Sequence, residues 1–501
     1  MQITLSNVAY TYADSPLPAL EPITATFTAG WTGIVGPNGC GKTTLARIIT
    51  SELKDYSGNI APNPAEYPQM SCCYSAQETE RPPDSLLDFA LDYTKEALHI
   101  RQILGLEDDW PWRYLSLSHG ERKRLQVGVS LWLKPSVLAL DEPTNHVDTT
   151  TRQQLLAALA QYPGVGLLVS HNRELLDSLT SRCLFMRKGE AIMRAGSYSQ
   201  GREQERLDLL SAARERKNAR AELSHLRAER SRRASEAAAA NVRRSKHHIA
   251  SKDHSAKARI DLAIVSGQDG KAGRRSAQMD ARVKAAEQRL AQADVPKTYD
   301  GTFWLDTAPS KRQLVACLEK GTIPLSDERI LAHPQLDVGN TDHIGLQGSN
   351  GSGKSTLLRA LVAGVLADVP LVYLPQEIDN ASAIKLLAEL KEVEPKQRGV
   401  LLSLVARLNS SPERILSGEA LSPGELRKIL LAMGIMQRPQ LIIMDEPTNH
   451  LDLHSTEALE AVLAQCPCAL VIVSHDAALL DATTNKRWVF TVDGRVEVKL
   501  V

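Results

Sequence analysis

Gly36-Pro37-Asn38-Gly39-Cys40-Gly41-Lys42-Thr43-Thr44 is the stretch that decides the fold of this 501-residue chain. Its spacing is G-x-x-x-x-G-K-[ST]. It stands between a short apolar run, Gly33–Val35, and a helical pattern, Leu45–Ile49. A phosphate-binding loop needs that setting. The glycines let backbone N–H groups turn toward phosphate oxygens, and the helix behind them adds the positive end of its dipole. A glycine-rich turn before a helix would explain one such match. A second, GSNGSGKST at Gly348–Thr356, follows Ile344–Leu346 and precedes Leu357–Val362. Strand, loop and helix in that order mean an α/β fold, written twice.

Three more motifs recur in the same order. LSHGE at Leu117–Glu121 returns as LSPGE at Leu421–Glu425. DEPTNHVD at Asp141–Asp148 returns as DEPTNHLD at Asp445–Asp452, and VSHNRELLD at Val169–Asp177 as VSHDAALLD at Val473–Asp481. Gly36 and Gly348 are 312 residues apart, and the other three pairs 304 apart. The chain is a duplicated domain of about two hundred residues. The expected boundaries are 1–200 and 299–501 for the two copies and 201–298 for the segment between them.

That segment is of another kind. From Ser199 to Thr298 there is no Phe, Tyr or Trp, and Pro296 is the sole proline. It cannot build a compact core of its own, and its Ala, Arg, Glu and Lys favour helix. Met279, Val283, Ala286, Leu290 and Ala293 alternate spacings of four and three, the mark of a coiled-coil seam. Ser266–Gly270 reads as a breaker, a loop or kink. A helical hairpin is expected, bent between Ser235 and Asp253.

Composition narrows the class. Hydrophobic residues make up 43% and charged residues 24%, which excludes global disorder, a collagenous repeat and a disulfide-rich scaffold. No run approaches the roughly 18–20 apolar residues that span a bilayer. The start, MQITLSNVAYTY, lacks the basic and apolar regions of a signal peptide. The seven cysteines read as free thiols in a reducing cytoplasm; a metal site at Cys466 and Cys468 is the alternative.

Candidate chemistry follows from position. Lys42 and Lys354 reach toward β- and γ-phosphates, while Thr43 and Ser355 offer hydroxyls to Mg²⁺. Asp141 and Asp445 end apolar strands and suit a hydrated Mg²⁺. Glu142 and Glu446 come next, placed to orient or deprotonate an attacking water. The plainer alternative is an acidic pair capping a turn.

Phosphate loop, LSxGE, DEPTNH and the Ser–His after them together resemble an ATP-binding cassette (ABC) domain, in both copies. The resemblance implies ATP hydrolysis with Mg²⁺ by two cassettes paired head to tail within one monomer. ATP on Gly36, Asn38, Gly39, Gly41, Lys42, Thr43 and Thr44 would be closed by Ser422 and Gly424. ATP on Gly348, Asn350, Gly351, Gly353, Lys354, Ser355 and Thr356 would be closed by Ser118 and Gly120. Gln77 and Gln376 match the glutamine that senses Mg²⁺ and water, and His171 and His475 match the switch histidine. Asp148 and Asp452 match the residue that crosses between cassettes. Tyr12, 24 residues before Gly36, matches the aromatic that stacks on adenine, or else is a core strand residue. The equivalent place in the second copy, near Pro324, holds no aromatic, and Phe303 and Trp304 lie too far upstream.

Two features resemble the F subfamily (ABC-F): Asn–His after DEPT, and a long helical linker between cassettes. Ser118 lies 76 residues past Lys42 and Ser422 lies 68 past Lys354, so both helical subdomains are compact, with no long inserted arm. The resemblance implies a cytoplasmic ATPase without membrane insertion. It would act on the ribosome (rRNA and tRNA, near the E and P sites) in translation regulation or antibiotic resistance by ribosome protection. The ATPase component of a membrane ABC transporter is the alternative. Charge bears on the choice. The chain has 59 basic and 59 acidic residues, but residues 201–290 hold 22 basic and 12 acidic, a net of +10 against −10 elsewhere. Arg243, Arg244, Lys246, Lys252, Lys257 and Arg259 crowd the expected hairpin tip. They read as RNA phosphate contacts or as a merely solvated helix.

Overall fold

The protein's computed structural model describes the chain except residues 65, 68, 146, 188, 244–267, 293–302, 305–306, 326–328, 418–420, 492–494 and 501. The chain divides into two compact units, 1–201 with 299–501, and 202–298.

The first unit holds both copies. In the first copy six strands lie in the order Cys72–Ser75, Val137–Asp141, Val165–Val169, Gly30–Val35, Thr180–Arg187, Glu190–Ala195. Every neighbouring pair is parallel except the last. The second copy repeats that order with Leu371–Leu374, Leu441–Asp445, Ala469–Val473, His343–Gln347, Lys486–Phe490 and Val496–Leu500. Val137–Asp141 and Val165–Val169 are buried at every position, because helices cover both faces of a parallel sheet. That is why they read as unbroken apolar runs rather than alternating ones. One face packs Leu45, Ile48 and Ile49 against Ile34 and Val165; the other packs Val127, Leu155 and Leu159. The strand Gly30–Val35 lies between parallel neighbours that come later in the chain, so the loop after it opens at the carboxyl edge of the sheet, where such folds bind ligands.

An antiparallel sheet of Leu20–Thr28, Gln2–Tyr10 and Ser57–Ala61 flanks the first copy. The second copy has two-stranded pairs instead, Leu314–Leu318 with Leu336–Gly339 and Gly321–Pro324 with Ile330–His333. Each copy carries a compact helical subdomain. The first packs its own core of Leu86, Phe89, Trp110, Tyr114, Leu117 and Leu125.

The second unit pairs the helices Tyr198–Arg243 and Gln268–Gln292. Leu223 and Leu226 bury against Met279, Val283 and Ala286, the residues whose spacing marked a seam. Arg227–Glu287 at 2.7 Å, Arg230–Asp280 at 3.1 Å and Arg289–Glu222 at 3.3 Å flank it. The breaker reading of Ser266–Gly270 needs correction, because Gln268, Asp269 and Gly270 form the first turn of the second helix. N–H groups in a first turn have no intrahelical partner, and an acidic residue there favours the helix dipole. The first helix runs past Ser235 to Arg243, and the rest of the expected bend lies outside the described residues.

Candidate active site

The helix Lys42–Ile49 begins at Gly41, whose φ of 95° is left-handed. A Cβ there would lie 2.6 Å from the Ala19 carbonyl, so no other residue fits. Gly353 repeats this at φ 97° before Lys354–Ala363. The loops close on their lysines. Lys42 Nζ donates to the carbonyls of Gly36 (2.8 Å) and Pro37 (3.0 Å), and Lys354 Nζ to those of Gly348 (2.8 Å) and Ser349 (2.9 Å). Thr43 Oγ1 donates to Asp141 Oδ2 at 2.7 Å, and the Tyr74 hydroxyl donates to the same oxygen at 3.0 Å. Ser355 hydrogen-bonds Asp445 in the second copy.

Glu142 and Glu446 follow these aspartates at φ 48° and 46°, a region that costs a non-glycine residue roughly 1–3 kcal/mol. Their backbone N–H groups donate to the Val169 and Val473 carbonyls, each at 2.9 Å, which holds the strained turns in place. Each carboxylate accepts the backbone N–H of the following histidine: His171 to Glu142 at 3.2 Å, His475 to Glu446 at 3.4 Å. The other oxygen, Oε1, is buried in both and accepts no hydrogen bond. It lies 3.5 Å from His171 Nε2 in one copy and 3.6 Å from His475 Nε2 in the other. Burial, and then the Asp141 charge, pushes Glu142 up to about 8; burial pushes Glu446 up to about 7. Burial, and then the nearby lysine, pushes His171 down to about 3 and His475 down to about 4. The imidazoles are neutral at pH 7, and both carboxyls exchange protons near it, the range that suits a general base.

The copies meet loop to loop. Asn38 donates its backbone N–H to Asp452 Oδ2 (3.3 Å) and its side-chain amide to the His450 carbonyl (3.2 Å). Asp148 accepts from the backbone N–H of Asn350. Arg152 donates to the His475 carbonyl at 3.3 Å, Arg173 meets Glu460 at 2.5 Å, and the Tyr198 hydroxyl donates to Glu457 at 2.7 Å. Between the copies a cavity of about 490 Å³ is lined by Asn350, Gly351, Gly353, Lys354, Ser355, Thr356, Gln376, Asp445, Glu446 and His475, joined by Glu142, Arg152 and His171 of the first copy. A second cavity of about 320 Å³ is lined by Tyr12, Asn38, Gly39, Gly41, Lys42, Thr43, Thr44, Gln77, Asp141, Glu142 and His171.

Ser118, Gly120, Ser422 and Gly424 line neither cavity. Gly424 nevertheless lies against the His450 carbonyl, the atom that accepts the Asn38 side chain of the opposite loop. Each Ser instead caps a helix, His119–Trp132 or Pro423–Met436, in a reciprocal box with the Glu of LSxGE. Sequence reading missed the cation that follows. Lys123 Nζ donates to the carbonyls of Ala76 (2.6 Å) and Gln77 (3.2 Å). Arg427, 304 residues on, donates to those of Pro375 (3.1 Å) and Gln376. Each signature helix is thereby tied to its own glutamine loop. The repeat offset carried that signal.

Tyr12 is half-buried beside the first loop, its hydroxyl 3.3 Å from Thr44 Oγ1. At the second loop the matching wall is Leu325, against Gly353, and Arg329, which donates to the Gly351 carbonyl at 3.1 Å. Neither had a signal without an aromatic. Phe303 and Trp304 sit in the second copy's core. Cys466 and Cys468 are free thiols with sulfurs 3.6 Å apart, and among the described residues no three His, Cys, Asp or Glu side chains cluster as metal ligands. Arg243 ends its helix, and Arg244, Lys246, Lys252, Lys257 and Arg259 lie outside the described residues.

The ABC transporter family profile matches residues 20–145 and 331–449. The chain is 28% identical to the ribosome protection protein VmlR of Bacillus subtilis, over 98% of this chain and 87% of that protein. It is 25% identical to the energy-dependent translational throttle protein EttA of Mycobacterium tuberculosis, over 96% of this chain and 89% of that one. The solved structure of RNase-L Inhibitor superposes with a TM-score of 0.61 at 15% identity, over 99% of this chain and 91% of its own, and so shares the fold.

Proposed function

This chain belongs to the ATP-binding cassette family as a tandem-cassette protein of the ABC-F type, and we propose that it hydrolyses ATP between its cassettes to gate its basic linker onto a ribosome. One observation carries the hydrolytic part. Both copies hold a strained, buried glutamate next to a hydroxyl-bonded aspartate and a neutral histidine, with each phosphate loop touching the other copy's aspartate. VmlR and EttA, named for ribosome protection and translational throttling, match nearly the whole chain, linker included, and this supports the ribosome over a membrane partner. No helix among the described residues is long and apolar enough to cross a membrane. We place the protein in the cytoplasm, where its seven free cysteines stay reduced.

Lys42 and Lys354 turn from their loop carbonyls to the β- and γ-phosphates. The residues present fit Mg²⁺: a Thr or Ser hydroxyl beside an Asp at each site is a hard-oxygen set, and Asp445 Oδ1 is buried without a hydrogen bond. Thr43, Asp141 and Gln77 would hold it at one site, Ser355, Asp445 and Gln376 at the other, and when bound it neutralises charge on the phosphate oxygens. ATP draws Ser422 and Gly424 to the first loop and Ser118 and Gly120 to the second, so that a helix N-terminus faces the γ-phosphate. Glu142 or Glu446, once ionised, takes a proton from water through its free Oε1. The water oxygen bonds to the γ-phosphorus as the bond to the β–γ bridging oxygen breaks. His171 and His475 orient that carboxylate and the γ-phosphate. Arg243, Arg244, Lys246, Lys252, Lys257 and Arg259 contact RNA phosphates.

Glu142→Gln with Glu446→Gln tests this. The double variant should co-sediment with ribosomes in ATP but not without it, and should stall translation in a cell-free system. ATP-independent sedimentation, or none, would sink the ribosomal reading; wild-type turnover by the variant would sink the hydrolytic one.

A further inference from the structure

The helical subdomain of the first cassette presents a face that ATP chemistry does not use. Leu91, Tyr93 and Trp112 are 61%, 72% and 63% exposed and line one shallow groove with Pro111, Glu107 and Asp108. Single exposed apolar residues are ordinary, but a cluster rimmed by charge marks an interaction site. The groove is built from beneath. The buried Arg101 guanidinium donates to the carbonyls of Phe89, Ala90 and Asp92, and stacks 5.5 Å from the Tyr93 ring centre. Trp110 is buried and donates to Glu107 at 3.0 Å. Its aromatic floor is therefore fixed before any partner arrives.

The rim is anionic. Asp108 is exposed and has no cationic partner among the described residues, and Glu107 shares the single Arg113 with Asp109. Residues 78–115 hold nine acidic and four basic side chains. Such a rim repels phosphate, which argues against nucleic acid as the occupant. The second cassette has no aromatic between residues 377 and 420, so the duplicated chemistry does not require this face.

We propose that the face docks a basic protein segment, a Lys/Arg-rich stretch with an apolar side chain seated between Tyr93 and Trp112. Aromatic anchors inside a charged rim supply affinity and orientation respectively. That the segment belongs to a ribosomal protein rests on the reading above; the chemistry of the groove does not.

The test titrates the full chain with a fluorescein-labelled heptapeptide of Lys and Arg around a central Phe, and reads anisotropy. Saturable binding is expected, weakened about tenfold by Trp112→Ser with Tyr93→Ser, the usual effect of truncating aromatic anchors. Glu107→Gln with Asp108→Asn should flatten its salt dependence, and both variants should keep wild-type ATP turnover. Equal binding by wild type and the aromatic variant, or equal competition by an oligoadenylate, overturns the proposal. A photo-cross-linking amino acid at position 91, with purified ribosomes and ATP, should link to protein. A link to RNA or to a second copy of the chain, or none while the ribosome is bound, overturns it too. Peptide binding without ATP-dependent ribosome binding would sink the ribosomal reading and leave the face standing; the reverse would sink the face alone.

Discussion

Glu142 has two costs that a surface glutamate avoids: a left-handed backbone and a carboxyl oxygen buried without a hydrogen bond. The second depends on pH. Burial raises its folded-state value from the usual carboxylate range to about 8. The folded chain therefore holds a proton there that the unfolded chain releases from about pH 4.5 upward. Relative stability from this group is fully present at low pH and is lost as pH rises through about 8. Glu142→Gln keeps the shape and removes the titration. Its melting temperature should match wild type near pH 4.5, exceed it increasingly from there to about pH 8 and level off above; a constant difference between pH 5 and 8 would mean that the carboxyl is not titrating. Tyr12 gives a second outcome at this scale. In a Glu446→Gln background only the first site turns over. Tyr12→Ala should then raise KM for ATP about tenfold with kcat held, if the ring supplies stacking worth ~1–1.5 kcal/mol. Tyr12→Phe should restore it.

Each signature helix is a lever with a fixed start and a buried tether. Ser118 and Glu121 satisfy two backbone N–H groups reciprocally, and Lys123 reaches across to the glutamine loop. Ser118→Ala should cost about 1 kcal/mol of stability by loss of the cap. Lys123→Met should cost more, roughly 1–3 kcal/mol in all, because the half-buried Ala76 carbonyl loses its donor while the exposed Gln77 carbonyl can turn to water. Denaturant unfolding of both variants checks the ranking; the reverse order would mean that the tether is not structural. These elements were legible in the sequence to different degrees. LSxGE announces a helix start because a Ser three residues before a Glu is a capping box whatever the fold. Gly41 announces the phosphate loop because no other residue takes its backbone angle. The first turn at Gln268–Gly270 was misread as a breaker because helix N-termini and turns favour the same residues, and only the seam further on separates them.

At the scale of the whole molecule, duplication made the two catalytic halves legible and hid how they join. Residues that act inside one cassette recur at a fixed offset. Residues that act between cassettes need not, since each copy meets a different surface. Arg173 and Glu460 show this: they are 287 residues apart, Arg173 stands in a repeated motif whose second copy has Ala477 in its place, and they meet at 2.5 Å with about a fifth of each side chain exposed. The pair joins the helix that follows His171 to the helix that begins after Asp452. It is placed to hold the cassettes in register while the signatures close on ATP. Reversing one charge should slow turnover by both sites together, since neither loop is touched directly. Reversing both should recover most of it. A double-mutant cycle with Arg173→Glu and Glu460→Arg, read as kcat/KM for ATP, should give a coupling of about 1 kcal/mol for a partly buried pair. Additive losses would mean that the two side chains act independently, and that cassette register is held by the other contacts between the copies, Asn38–Asp452, Asp148–Asn350, Arg152–His475 and Tyr198–Glu457 among them.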